Sequence, residues 1–135
     1  MPEIKRINHI AVLVEDIDAS LKFWHDILGI APSHVTDIPH EAARVAFLPL
    51  GESEIELVQP TASDSGLNRF IEKHGPGMHH LCLEVDDLQG LLVQLKAHGV
   101  QLINEQPRVG EDGKNYAFIH PKSTNGVLVE LYQIQ

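Results

Sequence analysis

Two histidines and two glutamates occupy matching positions of an internal repeat in this chain of 135 residues. His9 lies in an apolar run that ends in two acidic residues, and His80 stands at the corresponding place 71 positions later. Each half also closes with a Glu-Leu strand, which contains Glu56 in the first half and Glu130 in the second. A lone His or Glu in a strand is commonly a core or surface residue, whereas four that one repeat relates predict a shared site.

The chemistry of these four side chains indicates a divalent metal ion. Two neutral imidazoles and two carboxylates cancel the charge of such an ion, which offsets the cost of burying the carboxylates. A set of two nitrogen and two oxygen ligands suits Co, Mn, Ni, Fe or Zn, and an octahedral ion would leave two positions for a bidentate substrate. We interpret the single cysteine, Cys82, as a small core or cavity-wall residue.

The repeat predicts an α+β fold in which two tandem β-α-β-β-β modules form a curved-sheet metal-binding groove. Each module has about 65 residues, too few to bury a good core alone but enough when the two pack together. We therefore expect one domain over residues 1–135. Its expected parts are module one at about 5–60, a linker and short helix at 61–77, and module two at about 78–135.

Alternation of side chains along the first strand separates a face with His9, Ala11 and Leu13 from one that is rich in β-branched residues. The β-branched face is expected to meet a helix that begins at Asp16 or Asp18 and ends at Gly29. The metal ligands are then expected on strand faces that no helix covers. Further predicted elements are an extended or looped stretch over 31–43, a hairpin around Gly51, a helix from Ser63 or Asp64, a strand at 78–85, a helix at about 87–98, and strands near 101–103, 116–119 and 127–132.

Composition and charge narrow the class of protein. The formal net charge is −9, which disfavours nucleic acid and anionic membranes as partners. No apolar run approaches the roughly 20 residues of a membrane span, and the start lacks the apolar core of a signal peptide, so we expect a cytoplasmic protein. The segment 107–126 departs from the acidic average, because it carries Arg108, Lys114 and Lys122 against two acidic residues. It is either a solvated loop or a site for an anionic ligand.

Several short motifs extend over nearly the whole chain. They are Asn8-His9-Ile10-Ala11, Ile55-Glu56-Leu57, Phe70-Ile71-Glu72-Lys73-His74-Gly75, Gly77-Met78-His79-His80-Leu81 and Phe118-Ile119-His120-Pro121-Lys122-Ser123, the last of which leads into Gly126-Val127-Leu128-Val129-Glu130-Leu131. Together they resemble the vicinal-oxygen-chelate superfamily, which includes the glyoxalases, and within it most closely the methylmalonyl-CoA epimerase family. The metal ligands that the resemblance implies are His9, Glu56, His80 and Glu130, the same four that the repeat selects. His79 is expected to point to the opposite face.

The resemblance implies an isomerase that interconverts the (R) and (S) forms of methylmalonyl-CoA by proton abstraction at C2 through a metal-stabilised enolate. Such a reaction needs two bases on opposite faces of the carbon. Glu130 is the candidate for one. Some epimerases carry the second as a glutamate where this chain has Val45, so His40 or Glu41 on the preceding loop is the candidate here, and we select Glu41. The resemblance also implies a homodimer, and the coenzyme A phosphates are assigned to Arg108, Lys114, Lys122 and Ser123.

Two alternatives share the expected fold. Glyoxalase I has nearly the same ligand set, but many glyoxalases carry an Asp-Pro-Asp-Gly type of turn before the last strand, where this chain has His120-Pro121-Lys122-Ser123. A non-catalytic small-molecule-binding module would keep the groove and lose the metal. Retention of all four ligands disfavours that second alternative.

Overall fold

A computed structural model describes residues 2–110 and 112–134, and the chain divides into two compact units. One unit contains the residues up to His9 and those from His80 onward, and the other contains Ile10–His79. The strands are β1 (Ile4–Leu13), β2 (His34–Ile38), β3 (Ala43–Leu50), β4 (Ser53–Pro60), β5 (Gly77–Val85), β6 (Arg108–Val109), β7 (Asn115–Ile119) and β8 (Val129–Gln133). The α-helices are α1 (Ile17–Leu21), α2 (Gly66–His74) and α3 (Leu88–Ala97).

In the unit Ile10–His79 the strand order is β2-β3-β4-β1, and the β2–β3 and β3–β4 pairs are antiparallel. The predicted hairpin is present, with Gly51 at a positive φ of 59° in its turn. The predicted first helix is also present, and its N-cap is Asp16, whose side chain accepts a hydrogen bond from the backbone of Asp18. Its second half, Lys22–Ile27, is a π-helix before Gly29 ends the segment.

The core of this unit lies on both faces of its strands. One cluster contains Val14, Ile17, Ala46, Leu48 and Leu57, packed against Leu21 and Trp24. The other contains Ala11, Leu13, Ala43, Val45 and Val58, packed against Leu67, Phe70 and Ile71 of α2. The expectation that no helix covers the face with Ala11 and Leu13 is therefore wrong for these two residues. The apolar residues of α2 follow a helical i, i+3, i+4 spacing, which gives this short helix its own buried stripe.

The short helix begins slightly later than predicted. Ser65 is its N-cap, with its hydroxyl oxygen 3.1 Å from the Asn68 amide nitrogen that donates to it, so α2 starts at Gly66 rather than at residue 63 or 64. The helix ends at Gly75, where φ is 80°. The helix starts here because the Ser65 side chain accepts a hydrogen bond from an otherwise unpaired backbone N–H of the first turn.

In the unit that contains His80, the strand order is β1-β5-β8-β7-β6, with the first part of β1 included. The β5–β8 pair is parallel, and the β7–β8 and β6–β7 pairs are antiparallel. Helix α3, capped by Asp87, lies close to its predicted bounds. It packs onto a cluster of Val85, Leu88, Leu91, Leu92, Ala117, Ile119, Val129 and Leu131.

The strand predicted near 101–103 is wrong, since only an isolated bridge between Leu102 and Ile119 forms there. The side-chain oxygen of Asn104 accepts the hydrogen bond of the Phe118 amide at 2.8 Å, and the Phe118 carbonyl accepts from Ile103. The Asn104 side chain thus bonds the Phe118 N–H, which a strand at 101–103 would otherwise have paired with. The edge strand is β6 instead.

A glutamine in each module ties the start of its helix to its last strand. The Gln59 side-chain oxygen accepts a hydrogen bond from the Ile17 amide at 2.9 Å, and that of Gln133 accepts from the Leu88 amide at 2.7 Å. Both pairs occupy equivalent repeat positions, so the fold class of two β-α-β-β-β modules is evident in hydrogen bonding as well as in element order. Among the described residues, no helix is both long and apolar enough to cross a membrane.

Candidate metal centre

Three of the four predicted ligands lie together on neighbouring strands of one unit. His9 is on β1, His80 on β5 and Glu130 on β8, and β5 is the strand between the other two. The parallel register of β5 and β8 places Cys82 opposite Glu130, and His80 is two residues before Cys82 on the same face. Strand order and register therefore bring together side chains that are distant in sequence.

The donor atoms of these residues form a small triangle. The His9 Nε2 lies 3.1 Å from the His80 Nε2 and 3.5 Å from the Glu130 Oε1, and the His80 Nε2 lies 3.1 Å from that same oxygen. Ligand atoms bound at about 2.1 Å to one ion stand about 3.0 to 3.4 Å apart in octahedral or tetrahedral geometry. The side chains are only 11%, 14% and 14% exposed. The spacing and the donor types fit three ligands of one divalent cation.

Electrostatics favour an anion at this point even before a cation binds. Burial raises the pKa of Glu130, but when the His80 and His9 rings are protonated, their hydrogen bonds and positive charges lower it overall from 4.5 to about 2. The carboxyl group therefore stays ionised at neutral pH. An ionised carboxylate beside two imidazole nitrogens is a ready set of ligand atoms.

The lowered pKa predicts how the metal-free protein responds to acid. A depressed folded pKa contributes stability that is present above the unfolded value near 4.5 and lost as the pH falls through about 2. We expect Glu130→Gln to lower the free energy of unfolding by on the order of 2 to 3 kcal/mol at pH 5, with the difference shrinking towards pH 2. Urea unfolding in chelator measures it. Glu105→Gln, which removes an exposed carboxylate, is the control, and a difference that does not vary with pH would contradict the assignment.

Cys82 and Phe118 complete the surroundings of the triangle. Cys82 is fully buried, and its sulfur lies within 4.8 Å of ligand atoms of both His9 and Glu130. Phe118, opposite Glu130 on β7, places its ring edge-on to that of His80 at 5.7 Å between centroids. Tyr116 adds a second ring 6.0 Å from Phe118. Sequence reasoning missed this aromatic wall, although the two-residue spacing of Tyr116 and Phe118 in a strand was a signal for it.

The other predicted ligand, Glu56, belongs to the second unit. It lies on β4 opposite Phe47 of β3 and is half-buried. Gln59, on the same strand, accepts the hydrogen bond of the Ile17 amide at the start of α1. His79, not expected to bind the ion, places its ring 4.8 Å from the ring of Phe70. Glu56 as the fourth ligand stays a prediction.

The candidates for the second base lie on a turn before β3. Val45 is a buried residue of the core. Glu41 ends a short 3-10 turn, has a side chain that is 55% exposed, and lies with one carboxylate oxygen 3.4 Å from the His40 Nε2. The next residue, Ala42, has a φ of 51°, in the left-handed region that residues other than glycine rarely adopt. The turn therefore presents both His40 and Glu41 to solvent on a strained backbone.

The predicted anion-binding residues fall into two groups at opposite ends of β7. Arg108 lies on β6 and Lys114 directly before β7, whereas Lys122 and Ser123 lie in the 3-10 turn after it. Five strand residues span about 16 Å, so the two groups are not one compact patch. The Ser123 hydroxyl accepts a hydrogen bond from the Gln101 amide, which holds the second group in place. Near the first group, the Tyr132 hydroxyl donates to Asp112.

Comparison with known proteins identifies the class. Residues 8–118 match the model of the Glyoxalase/Bleomycin resistance protein/Dioxygenase superfamily. The chain is 38% identical over 132 residues to mitochondrial methylmalonyl-CoA epimerase of Mus musculus, an alignment that covers 97% of this chain and 74% of that one. It is 36% identical over 133 residues to ethylmalonyl-CoA/methylmalonyl-CoA epimerase of Cereibacter sphaeroides, covering 97% and 99%.

A solved structure agrees with these relatives. A methylmalonyl-CoA epimerase in complex with methylmalonyl-CoA and NH4+ is similar with a TM-score of 0.85 and 30% identity, over 97% of this chain and 95% of that one. The chain therefore belongs to the glyoxalase superfamily and, within it, to the methylmalonyl-CoA epimerase family. The predicted fold class, the family resemblance and the expectation of an epimerase are confirmed.

Proposed function

We propose that this protein interconverts the (R) and (S) forms of methylmalonyl-CoA by removing the proton from C2 and returning one to the opposite face. The observation that carries the proposal is the triangle of His9, His80 and Glu130, whose donor atoms lie 3.1 to 3.5 Å apart in a chain of the epimerase family. The three side chains are three of the four that both the repeat and the family resemblance select.

The roles of the residues follow from their chemistry. His9, His80 and Glu130, with Glu56 as the fourth ligand from the repeat, hold a divalent ion of the Co, Mn, Ni, Fe or Zn kind. When bound, that ion supplies a Lewis acid for the negative charge that develops on the thioester oxygen as the proton leaves. Glu130 is the proposed base on one face, since as a ligand it lies beside the ion, and Glu41 is the proposed base on the other. Phe118 and Cys82 exclude water around Glu130.

Isotope exchange tests the proposed reaction. One epimer of methylmalonyl-CoA, incubated in D₂O with metal-loaded protein, is expected to acquire deuterium at C2 and to lose its optical purity. Removal of a carbon-bound proton by a solvent-equilibrated base requires that exchange. Mass spectrometry and chiral analysis measure the two outcomes. A protein that shows neither exchange nor inversion would contradict the proposal. If that protein also converts the hemithioacetal of methylglyoxal and glutathione, its activity is that of glyoxalase I.

A second prediction concerns coenzyme A, to which we assign Arg108, Lys114, Lys122 and Ser123. An acidic protein needs local positive charge to bind an anionic thioester. Lys122→Glu is expected to raise KM about tenfold and to change kcat little, because the lysine contacts the ligand equally in the ground and transition states. Steady-state kinetics at low salt measure it. Lys96→Glu, the same substitution on α3 outside the basic segment, is the control, and an unchanged KM for Lys122→Glu would remove the assignment.

The oligomeric state and the location in the cell are proposals as well, and the first rests on family resemblance and on the exposed sheet edges. We propose that the protein is a homodimer, because edge strands such as β2 and β6 commonly pair or are covered in assemblies. We also propose a cytoplasmic location.

A further inference from the structure

We propose that Asn8 and Glu84 select the tautomer of His9, so that its Nε2 presents a lone pair to the metal centre. Both are positioning residues that act through His9. The inference deepens the proposed function, since it rests on His9 being a metal ligand. Asn8 stands out as the polar residue before the first repeated histidine, and its place is taken by His79 in the second module.

Three contacts form a chain that leads to the His9 ring. The Asn8 Oδ1 lies 2.8 Å from the His9 Nδ1. The Asn8 Nδ2 donates to the Glu84 Oε1 at 3.4 Å. The Arg6 Nε lies 3.6 Å from the Glu84 Oε2. All four residues belong to one compact unit, and Glu84 and Arg6 are remote in sequence, so only the pairing of β1 with β5 assembles the chain.

The direction of each hydrogen bond follows from the chemistry of its ends. An ionised carboxylate accepts hydrogen bonds and cannot donate, so Glu84 orients the amide nitrogen of Asn8 towards itself. The amide oxygen of Asn8 then faces the His9 Nδ1, and because that oxygen also only accepts, the Nδ1 carries the proton. A neutral imidazole has one ring proton, which leaves the Nε2 with a lone pair. This Nε2 is the atom that lies 3.1 Å from the His80 Nε2 and 3.5 Å from the Glu130 Oε1.

The charge at the far end of the chain supports the same arrangement. The Glu84 side chain is 15% exposed, and a carboxylate with so little access to water needs a compensating charge. The guanidinium of Arg6 supplies that charge from the rim. Metal-ligating histidines generally donate their second ring N–H to a carboxylate or carbonyl oxygen, and loss of such a partner lowers metal affinity about 10- to 100-fold.

Glu84→Gln is the variant that tests the inference with the least change in shape. A glutamine amide can donate to the Asn8 oxygen, which allows the Asn8 amide to turn and to offer its NH₂ group to His9. The Nδ1 of His9 then accepts, and the proton moves to the Nε2. In metal-free protein at a pH where the imidazoles are neutral, nitrogen-detected NMR is expected to find the proton on Nδ1 in the wild type and on Nε2 in Glu84→Gln. Metal affinity by calorimetry is expected to fall about 10- to 100-fold.

A second substitution is expected to restore the wild-type state. In Asn8→Asp combined with Glu84→Gln, the new carboxylate accepts from both the glutamine amide and the His9 Nδ1, so the proton returns to Nδ1 and metal affinity recovers. Glu105→Gln, the same substitution at an exposed ion pair, is expected to change neither property. A wild-type protein with the proton on the His9 Nε2, or a Glu84→Gln protein with an unchanged tautomer, overturns the inference. Because the tautomer is measured without metal or substrate, lack of epimerase activity with the tautomers as stated would count against the proposed function alone.

Discussion

Glu130→Ala is expected to abolish stoichiometric metal binding and to lower kcat/KM by at least about 1000-fold, which corresponds to about 4 kcal/mol of transition-state stabilisation. Glu130 is the one carboxylate in the triangle that it forms with His9 and His80. Its Oε1 lies within 3.5 Å of the Nε2 atoms of both histidines. Its removal leaves two neutral imidazoles and the proposed ligand Glu56, whose single negative charge does not balance that of a divalent ion. We expect His9→Ala, His80→Ala and Glu56→Ala to have the same effect, because each removes one of four proposed ligands.

Elemental analysis of purified variants and the rise in melting temperature on metal addition measure this loss, because a ligand that binds only the native state stabilises it. His79→Ala and Cys82→Ser are the controls. The first removes a neighbouring histidine whose ring packs on Phe70, and the second replaces a buried sulfur close to the triangle by an oxygen of similar position. Both are expected to retain the metal. A Glu130→Ala protein that is active and fully metal-loaded would show that the centre is elsewhere.

Glu41→Gln is expected to slow inversion of methylmalonyl-CoA by about 100- to 10,000-fold while leaving deuterium exchange from one epimer close to wild type. Glu130 would still remove the proton on its own face, whereas the opposite face would lack a base to complete the inversion. The Glu41 carboxylate is paired with His40 on an exposed turn that ends at Ala42 with a positive φ. Strained turns of this kind are common at functional sites, which supports a role for the residues it carries.

Exchange rates that are measured separately for each epimer in D₂O distinguish the two residues of this turn. If His40 is the base, His40→Ala will invert slowly and still exchange deuterium from one epimer, and Glu41→Gln will behave like wild type. Glu54→Gln is a suitable control, because it makes the same substitution on β4 away from this turn. Equal slowing of exchange from both epimers in Glu41→Gln would contradict a two-base role for this residue.

The sequence by itself determined the repeat and the elements whose signals are local. Asp16, one of two predicted N-caps, begins the first helix where acids precede an apolar stripe, and Gly29 and Gly51 have a positive φ where a helix end and a turn were predicted. These signals depend on neighbouring residues, so they can be read without knowledge of the fold. The repeat added one long-range statement, that His9 and His80 are equivalent, and the structure places their ring nitrogens 3.1 Å apart.

Only the tertiary structure decided which side chains meet across strands. The parallel register of β5 with β8 places Cys82 opposite Glu130. The hydrogen bond from the Phe118 amide to the Asn104 side chain accompanies an isolated bridge where a strand was predicted. Likewise, Glu84 reaches Asn8 across 76 positions of sequence. Strand register and side-chain hydrogen bonds of this kind depend on which of several distant groups comes close in the folded chain. The periodicity of residues along the sequence does not specify that partner.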